Sequence, residues 1–318
     1  MKVRFWGSRG SLPRSITACE VREKIGRALE LARDHDLSGE QARDHFIQTV
    51  LPFSVWGSYD GNTSCVQIDD GGDYVLCDAG SGLRDFGNHV MEINAERRPL
   101  TFHIFMSHLH WDHIQGFPFF RPAYLPENTV NLYGCHSDLE RAFVTQQGPP
   151  FFPMPLHGLQ ATIRFTTLVP DRAYHIAGFD IQGIEQDHPG KSYGYSFRRS
   201  GKKIVYSTDS EHKNDKKVEI SPFVEFFADA DLLIFDAQYS LIESDEMKRD
   251  WGHSSNILGA EFAVLAGVKH LVLFHSDPGA DDNKLDKLLS DTRAYARFYA
   301  EHYPLKVSQA YCGMEVDV

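Results

Sequence analysis

The stretch from Thr101 to His113 constrains this chain more than any other. Thr101-Phe-His-Ile-Phe-Met-Ser107 reads as a buried strand, and it runs straight into His108-Leu109-His110-Trp111-Asp112-His113, an H-x-H-x-D-H run. Neutral imidazole and carboxylate oxygen are ligand types that suit zinc, iron or manganese, so this density of them in a single turn of loop points to a metal. The following Ile114-Gln-Gly-Phe117 reads as the start of a short helix. A strand end feeding a loop and a helix N-terminus is a platform on which rigid elements present reactive side chains.

The rest of the chain supplies strands to build around that loop. Val3–Trp6, Cys65–Ile68, Tyr74–Cys77, Val130–Tyr133, Ile163–Thr167, Tyr174–Ile176, Phe179–Ile184, Tyr193–Arg198 and Ile204–Ser207 all read as strands. Leu232–Phe235 and Leu271–Phe274 are continuous apolar runs, as expected of strands covered on both faces. Helices are predicted at about Asp138–Gln146, Ile257–Leu265 and Leu285–Tyr299. Gly148–Pro155 is excluded from regular structure by its prolines, which lack the donor and fix φ. Strand-rich halves each closed by helices predict two packed sheets with helices outside. At 318 residues the chain reads as one domain, residues 1–318, with a helical insertion at about 15–57. There Val21, Ile25, Leu29 and Ala32 recur at helical spacing, and Ser38 with Gln41 predicts a capping box before a second helix.

Charge narrows the partners. A net charge of −12 disfavours long nucleic acid, whose backbone is gripped by clustered Lys and Arg. It leaves room for a small phosphate ester neutralised locally by metal. The five cysteines form no C-x-x-C pair and are odd in number, which predicts free thiols in a reducing compartment. The start at Met1-Lys-Val-Arg-Phe offers no signal-peptide core, and no apolar window reaches a membrane span. The expectation is a cytoplasmic protein.

One pattern recurs, an apolar strand followed by a single His or Asp. Asp209 follows Lys203–Thr208, and His275 ends Leu271–Phe274; His188 and His253 lie in short turns, Glu185–Gly190 and Trp251–Ser255. Each alone reads as easily as a cap or a surface residue; together they form a candidate constellation.

From Asp78 to His275 the chain resembles the metallo-β-lactamase superfamily, nearer its ribonuclease Z-like phosphodiesterases than the lactamases. The resemblance rests on Cys77-Asp78-Ala-Gly-Ser-Gly82, His108–His113, His188 with Ser192-Tyr-Gly-Tyr195, Ser207-Thr-Asp209, Gly252-His253-Ser254 and Phe274-His275. It implies an α/β fold of the α+β kind, a four-layer αββα sandwich with the site at one edge of the two sheets. It implies a metal-dependent hydrolase holding two divalent ions, zinc first, with manganese or iron as alternatives. His108, His110 and His188 would bind one ion; Asp112, His113 and His275 the other; Asp209 would bridge them. Asp78 would stand behind a ligand and hold it by a hydrogen bond. Attack of a metal-bridging hydroxide on phosphorus would follow, with His253 as the proton donor and Asp112 and Asp209 in the catalytic set.

The chain departs from ribonuclease Z in two ways. It has no Gly-rich arm for gripping tRNA, and the segment from His113 to His188 is rich in Pro and Phe rather than basic. The insertion at 15–57 is read as a lid or a homodimer contact. Together these favour a small phosphodiester such as a cyclic nucleotide. Trp56, Phe117, Phe119, Phe120, Phe151 and Phe152 fall around the motifs, where they would pack the core or stack on an aromatic group. Gly7-Ser-Arg-Gly-Ser11 is either a tight turn between strands or a source of backbone donors near the substrate. Two other readings stay open: a carboxylic ester hydrolase (lactonase or thioesterase) on the same metal pair, and a non-catalytic metal-binding sensor.

Overall fold

The computed structural model describes residues 1–94, 99–212, 218, 221–241, 243 and 250–318. Its strands are β1 (Lys2–Gly7), β2 (Cys65–Asp69), β3 (Tyr74–Cys77), β4 (Thr101–Met106), β5 (Thr129–Gly134), β6 (Thr162–Thr167), β7 (Ala173–Ile176), β8 (Phe179–Gln186), β9 (Ser192–Arg199), β10 (Lys202–Ser207), β11 (Leu232–Asp236), β12 (His270–Phe274), β13 (Lys306–Gln309) and β14 (Glu315–Asp317). The helices are α1 (Ala18–Leu31), α2 (Glu40–Thr49), α3 (Phe53–Trp56), α4 (Gly82–Ile93), α5 (Trp111–Ile114), α6 (Leu139–Gln146), α7 (Pro222–Phe227), α8 (Asn256–Leu265) and α9 (Asp282–Tyr299).

The strands form two seven-stranded sheets, ordered β14-β1-β2-β3-β4-β5-β6 and β13-β12-β11-β10-β9-β8-β7. In the first, β3 to β6 run parallel, and in the second β10 to β13 do. Strand parity explains the continuous apolar runs. Leu232, Ile234, Val272 and Phe274 pack inward against Val75, Cys77 and Phe105 of the other sheet. Their neighbours Leu233, Phe235, Leu271 and Leu273 face outward onto Phe227, Leu258, Phe262 and Leu288 of α7, α8 and α9. On the opposite flank, Leu76, Ile104 and Met106 meet Leu83, Phe86 and Val90 of α4 and Leu139 and Phe143 of α6. The result is the four-layer αββα order that the strand pattern demands.

Two local expectations need correction. The capping box lies on α1, where Glu20 N–H donates to Thr17 Oγ1 over 3.3 Å and the Thr17 N–H to Glu20 Oε2 over 2.8 Å. The Ser38/Gln41 pair does not act so: α2 begins at Glu40 behind Gly39, which makes no side-chain cap. The short helix also starts earlier than Ile114, at Trp111, which places Asp112 and His113 on helical backbone rather than in a loop. A residue at the first turn of a helix is held more tightly than one in a loop, which suits a group that must aim a side chain.

Residues 15–57 carry α1, α2 and α3. Lys24 Nζ on α1 donates to the carbonyls of Ser54 and Gly57 and pairs with Asp282 of α9, so this segment is anchored on the α9 flank. At its root Arg9, fully buried, pairs with Asp60 and donates to the carbonyls of Asp277 (2.7 Å) and Ala280 (2.9 Å). All five cysteines are free, and no helix among the described residues is long and apolar enough to cross a membrane.

Candidate metal centre

The ends of β3, β4, β8, β10, β11 and β12 converge on one edge of the sandwich, and the candidate residues sit just past them. Asp78, Asp209 and His275 follow their strands directly or by two residues, and all three have positive φ: 61°, 46° and 60°. That left-handed turn is uncommon for a residue with a Cβ, though Asn, Asp and His tolerate it best.

One set of donors is compact. His113 Nε2 lies 3.2 Å from Asp112 Oδ2, 3.2 Å from His275 Nε2 and 3.3 Å from Asp209 Oδ1. His275 Nε2 lies 3.1 Å from Asp112 Oδ2 and 3.3 Å from Asp209 Oδ1. Edges of this length belong to a tetrahedron whose centre is about 2 Å from each corner, the usual metal–nitrogen or metal–oxygen distance of a zinc site. A second set gathers beside it. His110 Nδ1 and His188 Nε2 are 3.1 Å apart, and the other carboxylate oxygen of Asp209 lies 3.6 Å from His108 Nε2 and 3.9 Å from His188 Nε2. Asp209 therefore turns one oxygen to each set. His110 is the exposed member; the others are buried.

The groups behind these donors decide which nitrogen is free. Asp78, wholly buried, accepts from the Ser107 N–H, the Ser107 hydroxyl, the Tyr206 hydroxyl and His113 Nδ1, each at 2.7 Å. With Nδ1–H committed, His113 presents Nε2 as a lone pair. His188 does the same by donating Nδ1–H to the Gly252 carbonyl over 2.7 Å. The Ser11 N–H, in the Gly-rich turn after β1, donates to Asp112 Oδ2 over 2.8 Å and so braces a candidate ligand.

Electrostatics fit a cation. Burial would depress the imidazole of His113, yet the carboxylates of Asp112, Asp209 and Asp78 hold it well above its ordinary value. Burial leads in holding His108, His110 and His188 below theirs. Against burial, the surrounding imidazoles keep Asp112 and Asp209 well below the usual carboxylate range. Buried carboxylates in excess of cationic partners are stable where a bound cation balances them. The buried Nε2 of His108 has no hydrogen-bond partner, which fits a nitrogen kept for a metal.

His253 stands beside both sets. Its ring stacks on His275 with centroids 5.1 Å apart, and its Nδ1 lies 2.9 Å from Asp236 Oδ2. Burial works against protonation, but Asp236, Asp209 and Asp112 outweigh it and raise the pKa of His253. Asp236 was not among the residues singled out from sequence. It ends β11 directly after Leu232–Phe235, the same strand-then-acid pattern that marks Asp209, and it is fully buried.

Residues 73–276 match the beta-lactamase superfamily domain. The chain belongs to that superfamily. Ribonuclease Z of Archaeoglobus fulgidus is 26% identical over 275 residues, covering 69% of this chain and 82% of its own. Among solved structures, the metallo-beta-lactamase fold protein YhfI of Bacillus subtilis is 18% identical with a TM-score of 0.64, over 99% of this chain and 98% of that one. The short form of human tRNase Z is 18% identical with a TM-score of 0.60, over 100% and 99%. As a beta-lactamase superfamily member with this His/Asp cluster, the chain is a metal-dependent hydrolase.

Proposed function

We propose that this hydrolase is a phosphodiesterase acting on a small phosphodiester such as a cyclic nucleotide. The observation that carries the reading is the Asp236–His253 pair placed against the donor cluster. Hydrolysis of an unactivated phosphodiester expels an alkoxide that needs a proton, and a carboxylate-backed imidazolium at the site supplies one.

His108, His110 and His188 would hold one divalent ion and Asp112, His113 and His275 a second, with Asp209 across both; zinc is the proposed ion, with manganese or iron as alternatives. Such a pair supplies a water of lowered pKa and neutralises charge developing on the phosphoryl oxygens. The remaining work falls to the chain. Asp78 and the Gly252 carbonyl fix the rings of His113 and His188, and the Ser11 N–H fixes the Asp112 carboxylate. Asp236 holds Nδ1–H of His253; Nε2–H would then be the proton that passes to the leaving oxygen as the P–O bond breaks. The net charge of −12 and the Pro- and Phe-rich 114–187 segment support a small substrate over long RNA. The resemblance to ribonuclease Z, a phosphodiester hydrolase by name, supports the reaction class.

The test is hydrolysis of bis(p-nitrophenyl) phosphate by metal-replete protein, with a p-nitrophenyl carboxylic ester alongside. Chelator-sensitive turnover of the diester alone supports the proposal. Turnover of the carboxylic ester alone transfers the chain to lactonase or thioesterase chemistry, and a metal-loaded protein inert to both would be a sensor.

A further inference from the structure

A concavity lies beside the segment that carries the donor run. A cavity of about 630 Å³, the size of a small-ligand site, lies between the 109–119 segment and α6. Its walls include Trp111, Ile114, Phe119, Ala142 and Phe152. A more polar cavity of about 520 Å³ touches His108 and His110 and shares Leu109 and Asp138 with the first. The two share walls, so the aromatic cavity is the neighbour of the one that reaches the imidazoles.

The structure also sorts the aromatic residues of this region. Phe117 and Phe120 are fully buried in the core, whereas Trp111 is 74% exposed and Phe119 56% exposed. Phe119 and Phe152 meet edge to face, with centroids 5.6 Å apart and planes at 84°, forming a corner rather than a flat patch. Gln146 Nε2 donates to the Ile114 carbonyl over 2.8 Å and ties α6 to α5, so the walls are braced. Exposed aromatics grouped around a braced concavity mark a ligand site.

Geometry also says which part of the substrate belongs there. Every wall residue comes from 109–152, on the flank of the first sheet, whereas Asp236 and His253 come from the second. The leaving oxygen must face His253, so the group that reaches this cavity is the one retained on phosphorus. Building on the phosphodiesterase reading, we propose that the cavity binds a planar aromatic substituent retained on the phosphorus, a nucleobase or an aryl ring. The enzyme is then selective for aromatic phosphodiesters.

Three p-nitrophenyl diesters that share one leaving group test this: those of thymidine 5′-phosphate, phenyl phosphate and methyl phosphate. Wild-type kcat/KM should favour the aromatic esters over the methyl ester by about tenfold or more, the scale of one ring stack. A higher value for the thymidine ester assigns a nucleobase, and a higher value for the phenyl ester a simple aryl ring. Ala142→Phe, which fills the cavity from α6, and Phe119→Ala, which removes a wall, should each collapse that ratio, chiefly through KM. Equal wild-type values for all three esters overturn the proposal, as does a loss in both variants that is equal across the esters. Wild-type protein that cleaves none of the three overturns the phosphodiesterase reading itself, which is a different result.

Discussion

The Nδ1 of His188 donates to the backbone carbonyl of Gly252 across 2.7 Å, joining the turn after β8 to the turn that carries His253. Gly252 has φ +83°, and a Cβ there would lie 2.3 Å from that same nitrogen. Gly252→Ala should therefore displace His188 and weaken metal binding by about 10–100-fold, the usual effect of losing an outer partner of a ligand. Competition titration against a chelating dye measures it, and an unchanged affinity would mean that His188 is not a ligand.

Asp78 is the acceptor on which four donors converge, all of them buried. Asp78→Ala would leave those donors without a partner in a closed interior. Each stranded buried donor costs about 1–3 kcal/mol, so the variant should be several kcal/mol less stable even without metal. Chemical denaturation of the chelated protein reads this directly. Stability within about 0.5 kcal/mol of wild type, the range of a neutral surface change, would contradict the account of Asp78.

On a diester with an alkoxide leaving group, His253→Ala should lower kcat by about 10²–10⁴, the usual contribution of a positioned acid, with a smaller loss on p-nitrophenyl diesters and with both metals still bound. Asp236→Asn should lower kcat in the same way and to a smaller degree, since it leaves the imidazole in place with a weaker partner. A His253→Ala protein that loses a metal would show that His253 is a ligand and would remove the proton donor from the mechanism.

Far from the site, His270 starts β12 with Nε2 2.9 Å from Ser308 Oγ, and burial pushes its pKa down to about 4. Its value in the unfolded chain is about 6.5, so between those two values the unfolded chain binds more protons. Stability should fall as pH drops through 6.5 and level off, for this group, near 4. His270→Gln should flatten that part of the Tm-against-pH curve; an unaltered slope would contradict the assignment.

The fold was legible because nearly every central strand is covered on both faces, so Leu232–Phe235 and Leu271–Phe274 announce themselves as apolar runs. Helix α4 is harder to read: Leu83, Phe86 and Val90 do recur at helical spacing, but they start directly after the Gly-rich turn at Gly80-Ser-Gly82, a composition that argues against a helix. The strand β14 pairs with β1 across almost the whole chain, a contact with no local signature. At the site, the donor run His108–His113 is local and could be read. The Tyr206 hydroxyl that supports Asp78 lies 128 positions away and could not. Asp236 could have been found, since it repeats the pattern that flagged Asp209, but a single buried acid after a strand has no reading until its partner His253 is placed beside it.

The most direct test of the account is to strip the protein with a chelator and add zinc back stepwise, recording bound metal and bis(p-nitrophenyl) phosphate turnover on the same samples. The account predicts two ions per chain, with turnover following the second, and Asp209→Ala unable to hold the pair. One ion per chain at full activity, or turnover that survives complete removal of metal, would contradict it.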